Sequence, residues 1–155
     1  LWRKAFGDDE QFADSFIMRY YSRRRMLTAE AEGRMAAMLH LLPFRTELGR
    51  TTYIYGVATD PAFRGRGLAS QLMREAMRLI AERGDDAALL IPTPGKEWLR
   101  EFYGRFGFAG DVPARFVSAD RFDFGTGDAA ADRAMVWRRD SSVPLPEQLT
   151  ASWHS

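Results

Sequence analysis

The chain has 155 residues, about the length of one ordinary domain. Its 22 basic and 21 acidic residues leave a net charge of +1, which argues against a dedicated nucleic-acid-binding protein. Because the chain has no cysteine and only two histidines, His40 and His154, disulfide scaffolds, thiolate nucleophiles and multi-histidine metal sites are excluded.

The first half of the chain predicts a helix followed by three consecutive antiparallel strands. Aromatic and apolar residues recur every four positions between 9 and 23, so we expect an amphipathic helix there. Two apolar segments, 26–31 and 35–44, flank a short turn centred on Gly33, which is typical of a β-hairpin. Residues 51–59 are rich in β-branched and aromatic side chains and predict the third strand.

The second half predicts a helix, a buried strand and a second helix, followed by a less regular region. Apolar residues follow one helical stripe over 67–83, and the continuous apolar run at 87–91 then predicts a strand that completes one βαβ crossover. A shorter helix is expected over 97–106. Two final strands are expected at 112–117 and 133–139, with a long loop between them.

The segment that most suggests a ligand is TDPAFRGRGLAS at 59–70, between the third strand and the long helix. Gly65 and Gly67 remove side chains where a ligand approaches the backbone, and the start of the helix offers N–H groups and a positive dipole end. Such a site holds a phosphate or pyrophosphate, with Arg64 and Arg66 able to add charge. The glycines alone are equally compatible with an ordinary Asp-Pro turn and helix cap.

Two motifs carry a family resemblance. Residues 64–69, RGRGLA, resemble the acetyl-coenzyme A signature Q/R-x-x-G-x-G/A of the GNAT superfamily of N-acetyltransferases. Residues 102–108, FYGRFGF, are similar to the family's F/L-Y-x-x-x-G-F motif on the next helix. The resemblance covers about 2–139, and its wording is closest to the first domain of the enhanced-intracellular-survival acetyltransferases.

The resemblance implies a role for each matching residue. In the family, the strand before the glycine-rich loop leaves backbone groups free for the thioester and pantetheine, and a strand-end N–H stabilises the oxyanion. The matching strand residues are Val57, Ala58 and Thr59. The matching residues of the pyrophosphate loop are Arg64, Gly65, Arg66, Gly67, Leu68, Ala69 and Ser70. Tyr103 matches the tyrosine that protonates the departing thiolate, since a phenol with a pKa of about 10 can donate to a thiolate with a pKa of about 8.5.

Two positions depart from the family's pattern. Many members carry a glutamate general base where this chain has Tyr53, which is not a ready base near neutral pH. An amine with a pKa of about 10.4 is only about one part in a thousand neutral at pH 7.4, so a base or a water relay is still needed. His40, on the neighbouring strand, is a candidate base, and a purely structural histidine is the alternative. Lys96 replaces an asparagine common near the start of the last helix, which leaves that cofactor contact open.

These patterns predict a GNAT-like α/β (α+β) fold, with a mixed, mostly antiparallel sheet flanked by helices. The function expected from the resemblance is transfer of an acetyl group from acetyl-CoA to a primary amine by direct attack, with no covalent enzyme intermediate and no metal. The alternative is a non-catalytic acyl-CoA-binding sensor or interaction module. We expect a cytoplasmic protein without nucleic-acid or membrane partners, and leave the acceptor amine and a homodimer open.

The expected acetyltransferase domain covers 1–140, and 141–155 is expected to be an extended tail. Members of the fold usually begin with a strand before their first helix. We therefore expect that strand to precede Leu1.

Overall fold

The computed structural model describes Tyr20, Ser22 and residues 25–154, and these contain seven strands and two complete α-helices. The helix predicted over 9–23 lies outside the described residues, apart from Tyr20 and Ser22. In chain order the elements are β1 (Met26–Ala31), β2 (Arg34–Thr46), β3 (Gly49–Thr59), a 3-10 turn (Pro61–Phe63), α1 (Leu68–Arg83), β4 (Ala87–Leu90), α2 (Trp98–Gly104), β5 (Ala109–Val117), a 3-10 turn (Ala129–Ala131), β6 (Arg133–Arg138) and β7 (Leu149–Trp153).

The strands form one mixed sheet in the order β1-β2-β3-β4-β6-β5-β7. β3 and β4 pair in parallel on either side of α1 in the sequence, as the predicted βαβ crossover requires. β5 and β7 are also parallel, whereas β1–β2, β4–β6 and β5–β6 are antiparallel. The predicted fold class is therefore confirmed.

Contacts divide the described chain into two compact units. The first unit contains the described residues up to Leu41 together with Ile54–Arg78. The second contains Leu42–Tyr53 and the described residues from Leu79 onward. Strands β2 and β3 and helix α1 each contribute residues to both.

The first unit is organised by the β1–β2 hairpin. Its turn consists of Glu32 and Gly33, both with positive φ (+53° and +74°), which is the backbone that a tight hairpin turn needs. The register then pairs Ala31 with Arg34 and, at the other end, Met26 with His40. The hairpin predicted at this position is confirmed.

In the second unit, the last strand, β7, pairs with two different strands, β5 and β2. β7 pairs in parallel with β5 and, at its end, antiparallel with β2 through Phe44 and Trp153. Rings from these strands, from β3 and from the loop after β5 pack together with centroid separations between 4.7 and 6.2 Å. The aromatic cluster comprises Phe44, Tyr53, Phe116, Phe124 and Trp153. Such ring pairs contribute about 0.5–1.5 kcal/mol each beyond the burial of their area.

The interpretation of 141–155 as a tail is wrong, because Leu149–Trp153 is a strand of the sheet. Its partners, β5 and β2, are distant in the sequence, so its pairing leaves no local pattern. Pro144 and Pro146 just before it further suggest a loop.

The boundaries of β5 and α2 also differ from the predicted ones. β5 begins at Ala109 rather than at 112. Gly110 has φ +88° and the register shifts there, so the strand's alternating pattern is interrupted and does not reveal its first residues. Helix α2 ends at Gly104 rather than at 106. The amides of Arg105 and Phe106 donate to carbonyls three residues back, so the chain leaves the helix through a tighter turn.

Candidate active site

The candidate cofactor site begins on the last residues of β3. The pairing of β3 with β4 covers Thr51–Tyr53, whereas β3 continues to Thr59. Gly56 has φ +65° within this strand, a left-handed backbone that any other residue adopts only with strain. Gly56 was not among the predicted site residues, although an isolated glycine inside a strand pattern signals such a break. It directly precedes the predicted Val57, Ala58 and Thr59, of which Ala58 is buried and the other two are half-buried.

Asp60 fixes the turn that follows β3. Its amide donates to the carbonyl of Ala36 (2.8 Å), and its side-chain Oδ1 accepts from the amide of Ala62 (3.0 Å). The amide of Phe63 then donates to the carbonyl of Asp60 (2.9 Å), closing the 3-10 turn. This buried aspartate therefore directs the chain from the end of the strand into the glycine loop.

The glycine loop leaves its backbone open at the start of α1. Gly65 and Gly67 are exposed, have φ of +82° and +75°, and a Cβ built on either meets nothing within 4 Å. The amide of Gln71 donates to the carbonyl of Gly67 (3.1 Å), and the preceding amides at 68–70 have no acceptor within the helix. The loop thus combines free space, N–H donors and the positive end of a helix of 16 residues, which is the requirement for holding a phosphate.

Three exposed arginines surround this loop. Arg64 follows the 3-10 turn, and the Cζ of Arg66 lies 5.0 Å from the ring centroid of Phe63, a side chain only 1% exposed. The Cζ of Arg34, from the β1–β2 hairpin, lies 5.1 Å from the same centroid. Nη1 of Arg66 also lies 3.5 Å from a carboxylate oxygen of Glu32. The predicted set contained Arg64 and Arg66 but missed Arg34, since its place beside the loop depends on the packing of the hairpin.

Tyr103, the predicted general acid, belongs to α2 in the second unit. It is 7% exposed, and this burial raises the pKa of its phenol to about 12. Its ring meets that of Phe102 edge-on, with 5.2 Å between centroids, and its carbonyl accepts from the amides of Phe106 (3.0 Å) and Phe108 (3.4 Å). The phenol therefore keeps its proton throughout the neutral range.

Neither residue considered for the base has the properties of a strong one. The hydroxyl of Tyr53 donates to the carbonyl of Phe124 (2.8 Å), so this hydrogen bond links two members of the aromatic cluster. His40 is 2% exposed on β2, and burial lowers its pKa from 6.5 to about 4. The imidazole is therefore neutral near pH 7 and is a weak proton acceptor.

The second unit contains one cavity beside β5 and another before α2. The larger, about 740 Å³, runs between β5 and the following loop and is lined in part by Phe116, Phe122 and Asp132. The smaller, about 170 Å³, lies at the loop before α2 and is lined by Lys96 together with Arg100 and other residues. Lys96 thus carries a positive charge at the position, near the start of α2, where the family often has an asparagine side chain.

The predicted strand-end and glycine-loop residues fall in the first unit with His40, and Tyr103 falls in the second. Within Tyr20, Ser22 and 25–154, no group of three or more histidine, aspartate or glutamate side chains is placed to hold a metal ion. In the same part of the chain, neither helix has the length and apolar character needed to cross a bilayer.

Comparison with known proteins identifies the class to which this fold and loop belong. The sequence profile described as an acetyltransferase (GNAT) domain matches residues 1–110. This chain belongs to the GNAT acetyltransferase family. A search of curated protein sequences found no match.

Solved structures share the fold at low sequence identity. The GNAT family N-acetyltransferase YhbS from Escherichia coli, in complex with CoA, is 20% identical with a TM-score of 0.66, over 99% of this chain and 81% of that one. A GNAT family acetyltransferase from Elizabethkingia anophelis with acetyl-CoA bound is 14% identical with a TM-score of 0.61, over 89% and 88%. Eis1 from Mycobacterium abscessus is 18% identical with a TM-score of 0.53, over 70% of this chain and 27% of Eis1.

Proposed function

We propose that this chain transfers the acetyl group of acetyl-CoA to a primary amine. The observation that carries the proposal is the glycine loop, where exposed left-handed glycines with free space around them precede the open amides of α1. Family membership and the CoA and acetyl-CoA complexes of the E. coli and E. anophelis proteins support acetyl-CoA as the donor.

The loop supplies the groups that a pyrophosphate needs. The amides at 68–70 have no acceptor within the helix, and the helix dipole favours an anion at this end. Arg64 and Arg66 add two permanent charges with paired N–H donors. A Cβ at Gly65 or Gly67 would occupy the free space into which the phosphates fit.

In the proposed reaction the amine attacks the thioester carbonyl carbon. A C–N bond forms, the carbonyl oxygen gains negative charge that a backbone N–H near Val57 stabilises, and the C–S bond then breaks. The thiolate takes the proton of the Tyr103 hydroxyl, the Tyr103 phenolate regains a proton from water, and the nitrogen gives up one proton to water, so charge and protons balance. Burial raises the pKa of Tyr103 to about 12, so its hydroxyl is protonated and available as a donor throughout the neutral range.

The nitrogen's proton is expected to leave through water rather than to a strong protein base. A histidine with a pKa of about 4 is a poor acceptor for the proton of an alkylammonium ion. The hydroxyl of Tyr53 is used by the carbonyl of Phe124. Turnover should therefore rise with pH through the neutral range, as the neutral fraction of the amine increases.

Tyr53 stands where many members of the family have a general base, and its hydroxyl is bonded to the carbonyl of Phe124. The lack of a base at this position favours a second candidate function, a sensor that binds acyl-CoA without turning it over. To separate the two, the protein is incubated with acetyl-CoA and a panel of primary amines, and free thiol and acetylated amine are followed together. Transfer predicts equal amounts of thiol and of product identified by mass spectrometry, with at least one amine. Saturable acetyl-CoA binding with neither product throughout the panel would support the sensor.

A further inference from the structure

We propose that Arg34 binds the 3′-phosphate of coenzyme A. The inference rests on the proposed function, because it adds a residue to the same cofactor site. It starts from a charged group that the sequence motif does not contain, carried by the β1–β2 hairpin rather than by the glycine loop.

The ring of Phe63 holds Arg34 in place. That ring is 1% exposed and belongs to the turn directly before the loop, so its position is fixed by packing. The guanidinium groups of Arg34 and Arg66 lie 5.1 and 5.0 Å from its centroid, within the range of a cation–π contact. The two Cζ atoms are therefore at most about 10 Å apart.

Unlike Arg66, Arg34 has no acidic partner among the described residues. Arg66 lies 3.5 Å from Glu32. A guanidinium stays charged at any physiological pH and presents paired donors that match the oxygens of a phosphate. A second anionic group next to the loop is thus the ligand that this arrangement fits.

The chemistry of the cofactor identifies that group. Its pyrophosphate is accounted for by the loop amides and by the arginines of the loop itself. The ribose joins the pyrophosphate to the 3′-phosphate, which must then lie one sugar ring away from the loop. Arg34 approaches from the neighbouring hairpin and meets this requirement.

The test compares two nucleotides on three proteins by calorimetric titration. CoA and 3′-dephospho-CoA, which lacks only the 3′-phosphate, are titrated onto the wild type, Arg34→Ala and Arg78→Ala. Arg78 is an exposed arginine of α1 paired with Glu75, so it controls for the loss of one surface charge. We expect Arg34→Ala to weaken CoA about tenfold and to leave 3′-dephospho-CoA unchanged. Arg78→Ala should leave both affinities unchanged.

Other outcomes overturn the proposal in distinguishable ways. Equal weakening of both nucleotides by Arg34→Ala, with an unchanged melting temperature, would place Arg34 at the pyrophosphate instead. An unchanged CoA affinity would leave the proposed function standing and remove Arg34 from the site. If the wild type binds neither nucleotide, the proposed function itself fails. Arg34→Lys, which keeps the charge but loses the paired donors, should lie between the wild type and Arg34→Ala.

Discussion

The glycine loop of the first unit and the aromatic cluster of the second are built in opposite ways. Gly65 and Gly67 are exposed, lie in left-handed backbone and have empty space around them. Phe44 and Phe124 are almost completely buried and pack edge-on with 5.3 Å between their centroids. Open amides can bind a ligand but contribute little to folding, and packed rings do the reverse. Binding and stability therefore depend on different residues, and single substitutions should separate them.

The largest expected effect is on stability, from the aromatic cluster. Phe44 meets four other rings, so Phe44→Ala should lower the free energy of unfolding by about 3–5 kcal/mol. Phe44→Leu keeps most of the volume and should cost about 1.5 kcal/mol or less. Urea titration measures both. Val143→Ala, at an exposed apolar side chain of the same unit, should change stability by no more than about 0.5 kcal/mol.

The next effect concerns two tyrosines of the second unit. Tyr103→Phe should lower kcat about 100-fold and leave the affinity for acetyl-CoA nearly unchanged, because only the proton donor is lost. Tyr53→Phe removes the hydrogen bond to the carbonyl of Phe124 and should cost about 1 kcal/mol of stability without a specific loss of kcat. Steady-state kinetics and urea titration distinguish the two variants. Equal kcat for Tyr103→Phe and the wild type would remove the acid role.

The pH dependence of stability should carry the signature of His40. Burial favours its neutral form, so the folded protein binds fewer protons than the unfolded chain between the folded pKa of about 4 and the ordinary value of 6.5. Stability from this group is complete above pH 6.5 and is lost as the pH falls, on the order of 2 kcal/mol by pH 5.

His40→Gln should flatten that slope, whereas His154→Gln, at the exposed histidine, should leave it unchanged. Urea titrations from pH 7 to 5 measure the difference. The His40→Gln variant also tests whether His40 is the general base. A folded His40→Gln protein that has lost turnover would assign His40 a catalytic proton transfer.

Small effects on stability, and the sharpest contrast in binding, come from two glycines with the same backbone. Gly65→Ala and Gly84→Ala both place a Cβ at a positive φ (+82° and +76°) in open space, so each should cost about 1 kcal/mol of stability. Only Gly65→Ala obstructs the loop, and it should weaken acetyl-CoA binding about tenfold or more. Similar losses of affinity in both variants would mean that strain, not access to the loop, sets the binding.

Local patterns predicted much of this molecule. The stripe over 67–83 marks α1 within one residue, and the motif RGRGLA coincides with the open start of that helix. These features are encoded by neighbouring residues, through periodicity and through the conformational freedom of glycine.

Features that depend on distant residues were not predicted. β7 pairs with strands far away in the sequence, so Leu149–Trp153 carries no signal that separates it from an extended tail. Arg34 lies over the ring of Phe63, just before the loop, only because the hairpin packs there. The hydroxyl of Tyr53 is engaged by a carbonyl 71 residues later in the chain. Tertiary packing alone decides each of these.

Amide hydrogen exchange with and without acetyl-CoA tests the central claim most directly. At short labelling times, before global unfolding contributes, the amides of 65–70 should exchange fast in the free protein because they have no acceptor within the helix. Saturating acetyl-CoA should slow these amides strongly while the strand amides around Phe44 keep their rates. Unchanged exchange at 65–70 under saturating acetyl-CoA would contradict the account, since the cofactor would then be held elsewhere.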